Sequence, residues 1–178
     1  MLLWRSDYDV STILTACQVE SLTAVRYARE NIHSEVYSRV IQELVDDVKE
    51  QDRLFKGIET MPEVRAKADW CVRWIEDGEK SFAVRLIAFA IVEGVFFSSS
   101  FAAVFWLRLR GVMPGLVQAN TMIARDEGMH MKFACLLYRE LGMPVEADVV
   151  HAMVAEAVDL EHAFFNGERT KCCRVPVG

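Results

Sequence analysis

Two carboxylate and imidazole pairs recur in this chain with the same spacing, Glu30 with His33 and Glu127 with His130, each written Glu-x-x-His. Residues three apart on an α-helix share a face, so each pair aims one carboxylate and one imidazole at a common point. A third acid, Glu93, lies in the middle of a long apolar stretch, where an unpaired charge is costly. Two such pairs plus a lone Glu on an apolar helix form the donor pattern of a dinuclear carboxylate site inside a four-helix bundle. Carboxylates with imidazoles suit Fe or Mn, because oxygen donors stabilise the higher oxidation states and neutral His limits the net charge of the site. These residues supply five ligands, and a symmetric metal pair asks for a sixth. Glu20, ten residues before Glu30, would have to reach about 15 Å along the helix axis and is not counted. For either pair alone the competing reading is a hydrogen-bonded core His with its Glu nearby in solvent.

The elements that must position these residues are legible from hydrophobic period and punctuation. Val19, Leu22, Val25, Ile32, Val36, Val40 and Leu44 predict a helix from about Thr12 to Val48, with Glu30, His33 and Tyr37 along one face. A short amphipathic piece follows from about Met61 to Asp77, opened by Pro62 and stopped by Gly78. The next block, Ser81 to Leu109, reads as one buried helix carrying Glu93, ended by Gly111 and Pro114-Gly115. A fourth, about Leu116 to Leu141, bears Asn120, Ile123, Asp126, Glu127 and His130. A fifth runs from about Val145 to Phe165 and ends at Asn166-Gly167, and residues 168–178 show no helical period. No strand pattern and no internal repeat occur, so the class is all-α.

Around the five donors stand residues that could share in the chemistry or simply pack. Tyr37, one turn after His33, is a phenol that a nearby oxygen-activating metal pair could oxidise by one electron, or a core Tyr with its hydroxyl satisfied. Asp126 points elsewhere on its helix than Glu127 and suits a carboxylate that hydrogen-bonds a metal-bound His. Phe97 and Phe101, four and eight residues after Glu93, would give the site a dry wall, and core packing explains them equally well.

Composition bounds the rest. The 178 residues, 52% of them hydrophobic, can bury one substantial core. A net charge of −6 with no Lys/Arg cluster argues against a nucleic-acid surface. The five cysteines lack metal spacing and read as reduced thiols, and with no apolar run at the start of the sequence long enough for a signal peptide a cytoplasmic location is expected. From Leu86 to Leu107 the chain is long and apolar enough to span a bilayer, with Glu93 its only ionisable side chain. Glu93 would have to be hidden there, Ser98, Ser99 and Ser100 would gain nothing, and the flanking Lys80, Arg85, Arg108 and Arg110 define no inner side. A central bundle helix is expected instead, with no membrane partner.

Four stretches, taken with the donors they hold, resemble the small subunit of class I ribonucleotide reductase. They are Glu30-Asn31-Ile32-His33-Ser34-Glu35-Val36-Tyr37, Val92-Glu93-Gly94-Val95-Phe96-Phe97-Ser98 through Phe101-Ala102-Ala103, Arg108-Leu109-Arg110-Gly111-Val112-Met113-Pro114-Gly115, and Arg125-Asp126-Glu127-Gly128-Met129-His130. The resemblance implies a ferritin-like helical bundle with a di-metal carboxylate core. By it, Glu30, His33, Glu93, Glu127 and His130 match metal ligands and Tyr37 matches the residue that holds a stable radical. Phe97, Phe101 and Ile123 match the apolar pocket around that radical, and Asp126 the acid that hydrogen-bonds His33. The implied cofactor is two iron ions in a di-iron oxo centre, with Mn or a mixed Mn/Fe pair equally suited to the ligands. The implied activity is generation of a tyrosyl radical for the conversion of ribonucleotides to deoxyribonucleotides. The implied partners are the large subunit and a second small subunit, as a homodimer or as a heterodimer with a complete one.

Relative to that family the chain is expected to be truncated at both ends. Residues 1–14 and 167–178 diverge on either side of a ferritin-like domain at 15–166. The family's Asp ligand on the preceding helix, its upstream Trp and its C-terminal docking tail have no counterpart. A truncated or accessory non-catalytic small-subunit paralogue that pairs with a complete subunit is therefore the alternative function.

Overall fold

In a computed structural model of the chain, residues 28–76 and 78–172 are described. The expectations for residues 1–14, the helix start near Thr12, Glu20 and Cys17 lie outside the described residues, as do those for residues 173–178. The chain divides into two compact units, residues 1–39 and 40–178. In the first, the described part is the leading portion of a helix, α1, that covers residues 28–44. Among the described residues all regular structure is helical, which is the all-α class that the periodicity predicts.

In the second unit α2 (Val48–Phe55), α3 (Gly57–Thr60), α4 (Pro62–Cys71), a π-helical turn (Val72–Glu76), α5 (Phe82–Val95), α6 (Ser98–Leu109), α7 (Pro114–Leu141) and α8 (Ala147–Cys172) follow in order. Several ends have identifiable chemical causes. Ser81 Oγ accepts the Val84 N–H and starts α5. Pro62 and Pro114 occupy first helical positions, where a missing N–H costs nothing. Gly142, with φ +60°, closes α7 in a left-handed conformation that a side chain would disfavour. α5 lies against α7 and α8, and α4 against α8. The core between them is Trp70, Ala88, Ile91, Phe96, Met153 and Ala157, with the Trp70 ring edge-on to Phe96 at 5.1 Å between centroids.

Three boundaries differ from expectation. The first helix stops at residue 44, because Asp47 caps a new helix by accepting the Lys49 N–H at 3.0 Å. The block from Ser81 to Leu109 is two helices, broken at Phe96-Phe97. The last helix continues through Gly167 to Cys172. Gly167 is a place of close approach and not a stop: a Cβ there would fall 2.6 Å from Glu63 Oε1 of α4.

Candidate metal centre

The buried face of α7 is Val117, Asn120, Ile123, Glu127, His130 and Ala134, at spacings of three and four, so Glu127 and His130 enter the interior by register alone. Glu93 reaches the same place from α5. A Cβ on the next residue, Gly94, would fall 2.7 Å from the Met131 sulfur, so the bare glycine leaves room for the Met131 side chain of α7 at the level of the carboxylate. His130 Nδ1 lies 3.1 Å from Glu127 Oε2 and 3.4 Å from Glu93 Oε2. All three residues are buried, and each offers a donor atom within 4.8 Å of the others.

Two carboxylates buried this close repel one another, and a single imidazole cannot neutralise both. A divalent cation can, and hard oxygen with imidazole nitrogen is the donor set that Fe and Mn accept. The residues therefore fit a metal on their own chemistry.

The other candidates fall as follows. On α1, Glu30 Oε2 and His33 Nδ1 are 3.7 Å apart on one face, with His33 buried and Tyr37 half-buried one turn on. Ile123 is buried one turn before Glu127, and Asp126 beside it is half-buried. Phe97 and Phe101 flank the start of α6 with ring centroids 6.2 Å apart, but Phe97 is 42% exposed in the single chain and makes no dry wall by itself.

Two acids of α8 were not singled out from sequence. Glu156 Oε2 accepts from both indole N–H groups, Trp70 at 3.1 Å and Trp74 at 3.2 Å, and from Arg73 Nη2 at 2.6 Å. Glu161 is buried and ion-paired to Lys67. A signal for the second existed, because Met153, Ala157 and Glu161 share one stripe of α8 at intervals of four, which places an acid on a buried face.

An all-helical fold in which two facing helices bring Glu, Glu and His together in the interior is the architecture of carboxylate metal-binding bundles. Comparison with known proteins narrows this class. A sequence model described as ribonucleotide reductase, small chain, matches residues 9–170, and the chain belongs to that family. It is 52% identical over 137 residues to the ribonucleoside-diphosphate reductase small chain of Spisula solidissima, covering 77% of this chain and 36% of that one. With the corresponding small chain of Nicotiana tabacum it shares 53% over 137 residues, covering 77% and 41%. With small chain 1 of Saccharomyces cerevisiae it shares 46% over 157 residues, covering 88% and 39%. The solved ribonucleotide reductase Rnr4 homodimer of Saccharomyces cerevisiae superimposes with a TM-score of 0.76 at 37% identity, over 83% of this chain and 46% of that one. The chain thus spans less than half the length of these curated relatives.

Proposed function

We propose that this chain acts in the small subunit of ribonucleoside-diphosphate reductase, in the cytoplasm, generating a tyrosyl radical used to convert ribonucleotides to deoxyribonucleotides. The observation that carries the reading is the convergence of buried Glu93, Glu127 and His130 within one metal's reach of each other. Glu30 and His33, paired on α1, match the family's remaining ligands by the resemblance of their motif. Two metal ions held there, iron in the first place and Mn or a mixed pair as the same donors allow, would with O₂ provide a one-electron oxidant. Glu93 and Glu127 supply most of the negative charge that holds the cations, and His130 and His33 add neutral nitrogen donors. Tyr37 is the group that loses an electron and its phenolic proton. By the family resemblance, Asp126 matches the acid that hydrogen-bonds His33, and Phe97, Phe101 and Ile123 match the apolar pocket around the phenol.

The partners in this reading are a large subunit that binds the nucleotide and a second small subunit. The homodimeric state of the solved relative supports a dimer. So does α6, which is apolar yet buries none of its residues in the single chain.

The test is to load the purified chain with Fe(II) without oxygen, admit O₂, and measure retained iron and the electron paramagnetic resonance spectrum. Iron uptake with a radical signal near g = 2 is expected (roughly the free-electron value, as for any organic radical in a protein site). Tyr37→Phe should retain the iron and lose the signal, because only the phenolic hydroxyl is removed. A chain that retains no iron overturns the metal reading. A signal that survives in Tyr37→Phe removes the role given to that residue.

A further inference from the structure

The break between α5 and α6 leaves carbonyls at the end of one helix and N–H groups at the start of the next without helical partners. Charged side chains from two other helices take one of each. Lys67 of α4 donates from Nζ to the Phe96 carbonyl at 2.9 Å. Glu161 of α8 accepts at Oε1 from the Ser99 N–H at 2.8 Å, the Ser99 hydroxyl at 2.5 Å and the Ser98 hydroxyl at 3.3 Å. Lys67 and Glu161 are also paired directly, and the ammonium sits 3.7 Å from the centre of the Phe164 ring. The signs match the helix ends, with a cation at a C-terminus and an anion at an N-terminus.

This arrangement is costly. Both side chains are largely buried, and well-packed apolar residues in the place of a buried ion pair are commonly no less stable. Burial pushes the Lys67 ammonium below its usual pKa range, against the pull of Glu161. The pair meets the freed backbone on both sides of the break, which begins three residues after Glu93.

We propose that Lys67 and Glu161 form a charged clamp that holds the α5–α6 break and so fixes the direction from which Glu93 meets Glu127 and His130. They are positioning residues and touch no metal. The part that concerns Glu93 rests on the metal reading given above, and the clamp itself does not.

Two measurements on the full chain separate these parts. In metal-free protein, hydrogen exchange of the Phe97 to Phe101 amides is expected to quicken about tenfold in Lys67→Met and in Glu161→Gln, because local opening at the break loses a charged cap. Lys67→Arg should restore protection, and Met153→Ala, a cavity variant in the core, should lower the melting temperature without this local change. Unchanged exchange in both clamp variants overturns the clamp, as does an equal change in Met153→Ala. If one clamp variant fails to fold, the other decides.

The second measurement is the visible absorption of Co(II) bound to the chain. The ligand-field bands are expected to shift in Lys67→Met and stay at their wild-type positions in Lys67→Arg and Met153→Ala. Altered exchange with an unshifted spectrum overturns the positioning of Glu93. Failure of the wild-type chain to bind Co(II) counts against the metal reading, and exchange alone then decides the clamp.

Discussion

Glu93 carries opposite demands, since the charge that would bind a cation is a liability in its absence. Its carboxylate shares a buried site with Glu127 and one imidazole. Glu93→Gln keeps the shape and removes a charge, so without metal it should stabilise the chain by about 0.5–2 kcal/mol in urea unfolding while weakening Co(II) or Fe(II) binding about tenfold or more. Lower stability together with unchanged binding would show that Glu93 is not a ligand. Its place was legible in the sequence because it is the one ionisable group in an apolar run. The role of Gly94 was not, because its reason is the Met131 sulfur on another helix, which no local pattern reports. Cys71 makes a second residue-scale case. Burial raises its thiol pKa above the ordinary value of 9.0, so the folded state keeps the proton longer than the unfolded chain does. That contribution to stability is fully present below pH 9.0 and is lost as pH rises through the folded-state pKa. The stability difference between the wild type and Cys71→Ala should therefore move against the wild type between pH 8 and pH 10 (values of about these bracket a thiol's ordinary range). A difference that stays flat would place the thiol in water-like surroundings.

At the scale of elements, some ends with a chemical cause in their own sequence were readable, the local Asp47 cap was not, and ends caused by packing were not. Pro62 announced the start of α4 and Ser81 before an apolar run that of α5, whereas Pro114, read as a stop for the block before it, opens α7. The break at Phe96-Phe97 has no Pro or Gly at the hinge itself. It exists where Lys67, 29 residues from Phe96, and Glu161, 62 residues from Ser99, meet the freed backbone. α8 runs on past Gly167, where the bare glycine faces Glu63 of α4, a neighbour far away in sequence. Glu156 shows how one side chain joins elements, since it takes the N–H groups of Trp70 on α4 and Trp74 in the π-helical turn onto one oxygen of α8. Glu156→Ala leaves the indole N–H of the buried Trp70 without this acceptor and should cost about 1–3 kcal/mol, read from urea unfolding with a shift in tryptophan emission. A loss below about 0.5 kcal/mol would mean that water replaces the carboxylate at no penalty.

For the whole molecule, the outstanding demand is apolar surface. The stretch Phe82–Leu109 is long and apolar enough to cross a membrane by length and composition, and only 22% of its most apolar window is buried in the single chain. A bilayer and a second copy of the chain would each cover it, and they make different demands on the backbone. Within lipid, a helix break needs its polar groups satisfied by protein. Here α4 and α8 do so at Phe96 and Ser99, and Glu93 turns inward to α7. That is the behaviour of a bundle helix packed inward at α5, while its continuation, α6, leaves Trp106 53% and Leu109 83% exposed in the single chain. Under the function proposed above, a second copy of the chain covers this surface. Light scattering at micromolar concentration should therefore give twice the chain mass. Trp106→Glu, which buries no charge in the single chain, should return the mass to that of one chain with an unchanged helical circular dichroism spectrum, since a charge at an apolar interface costs far more than one in water. A wild-type chain that runs as a monomer and floats with lipid vesicles would assign the same surface to a membrane.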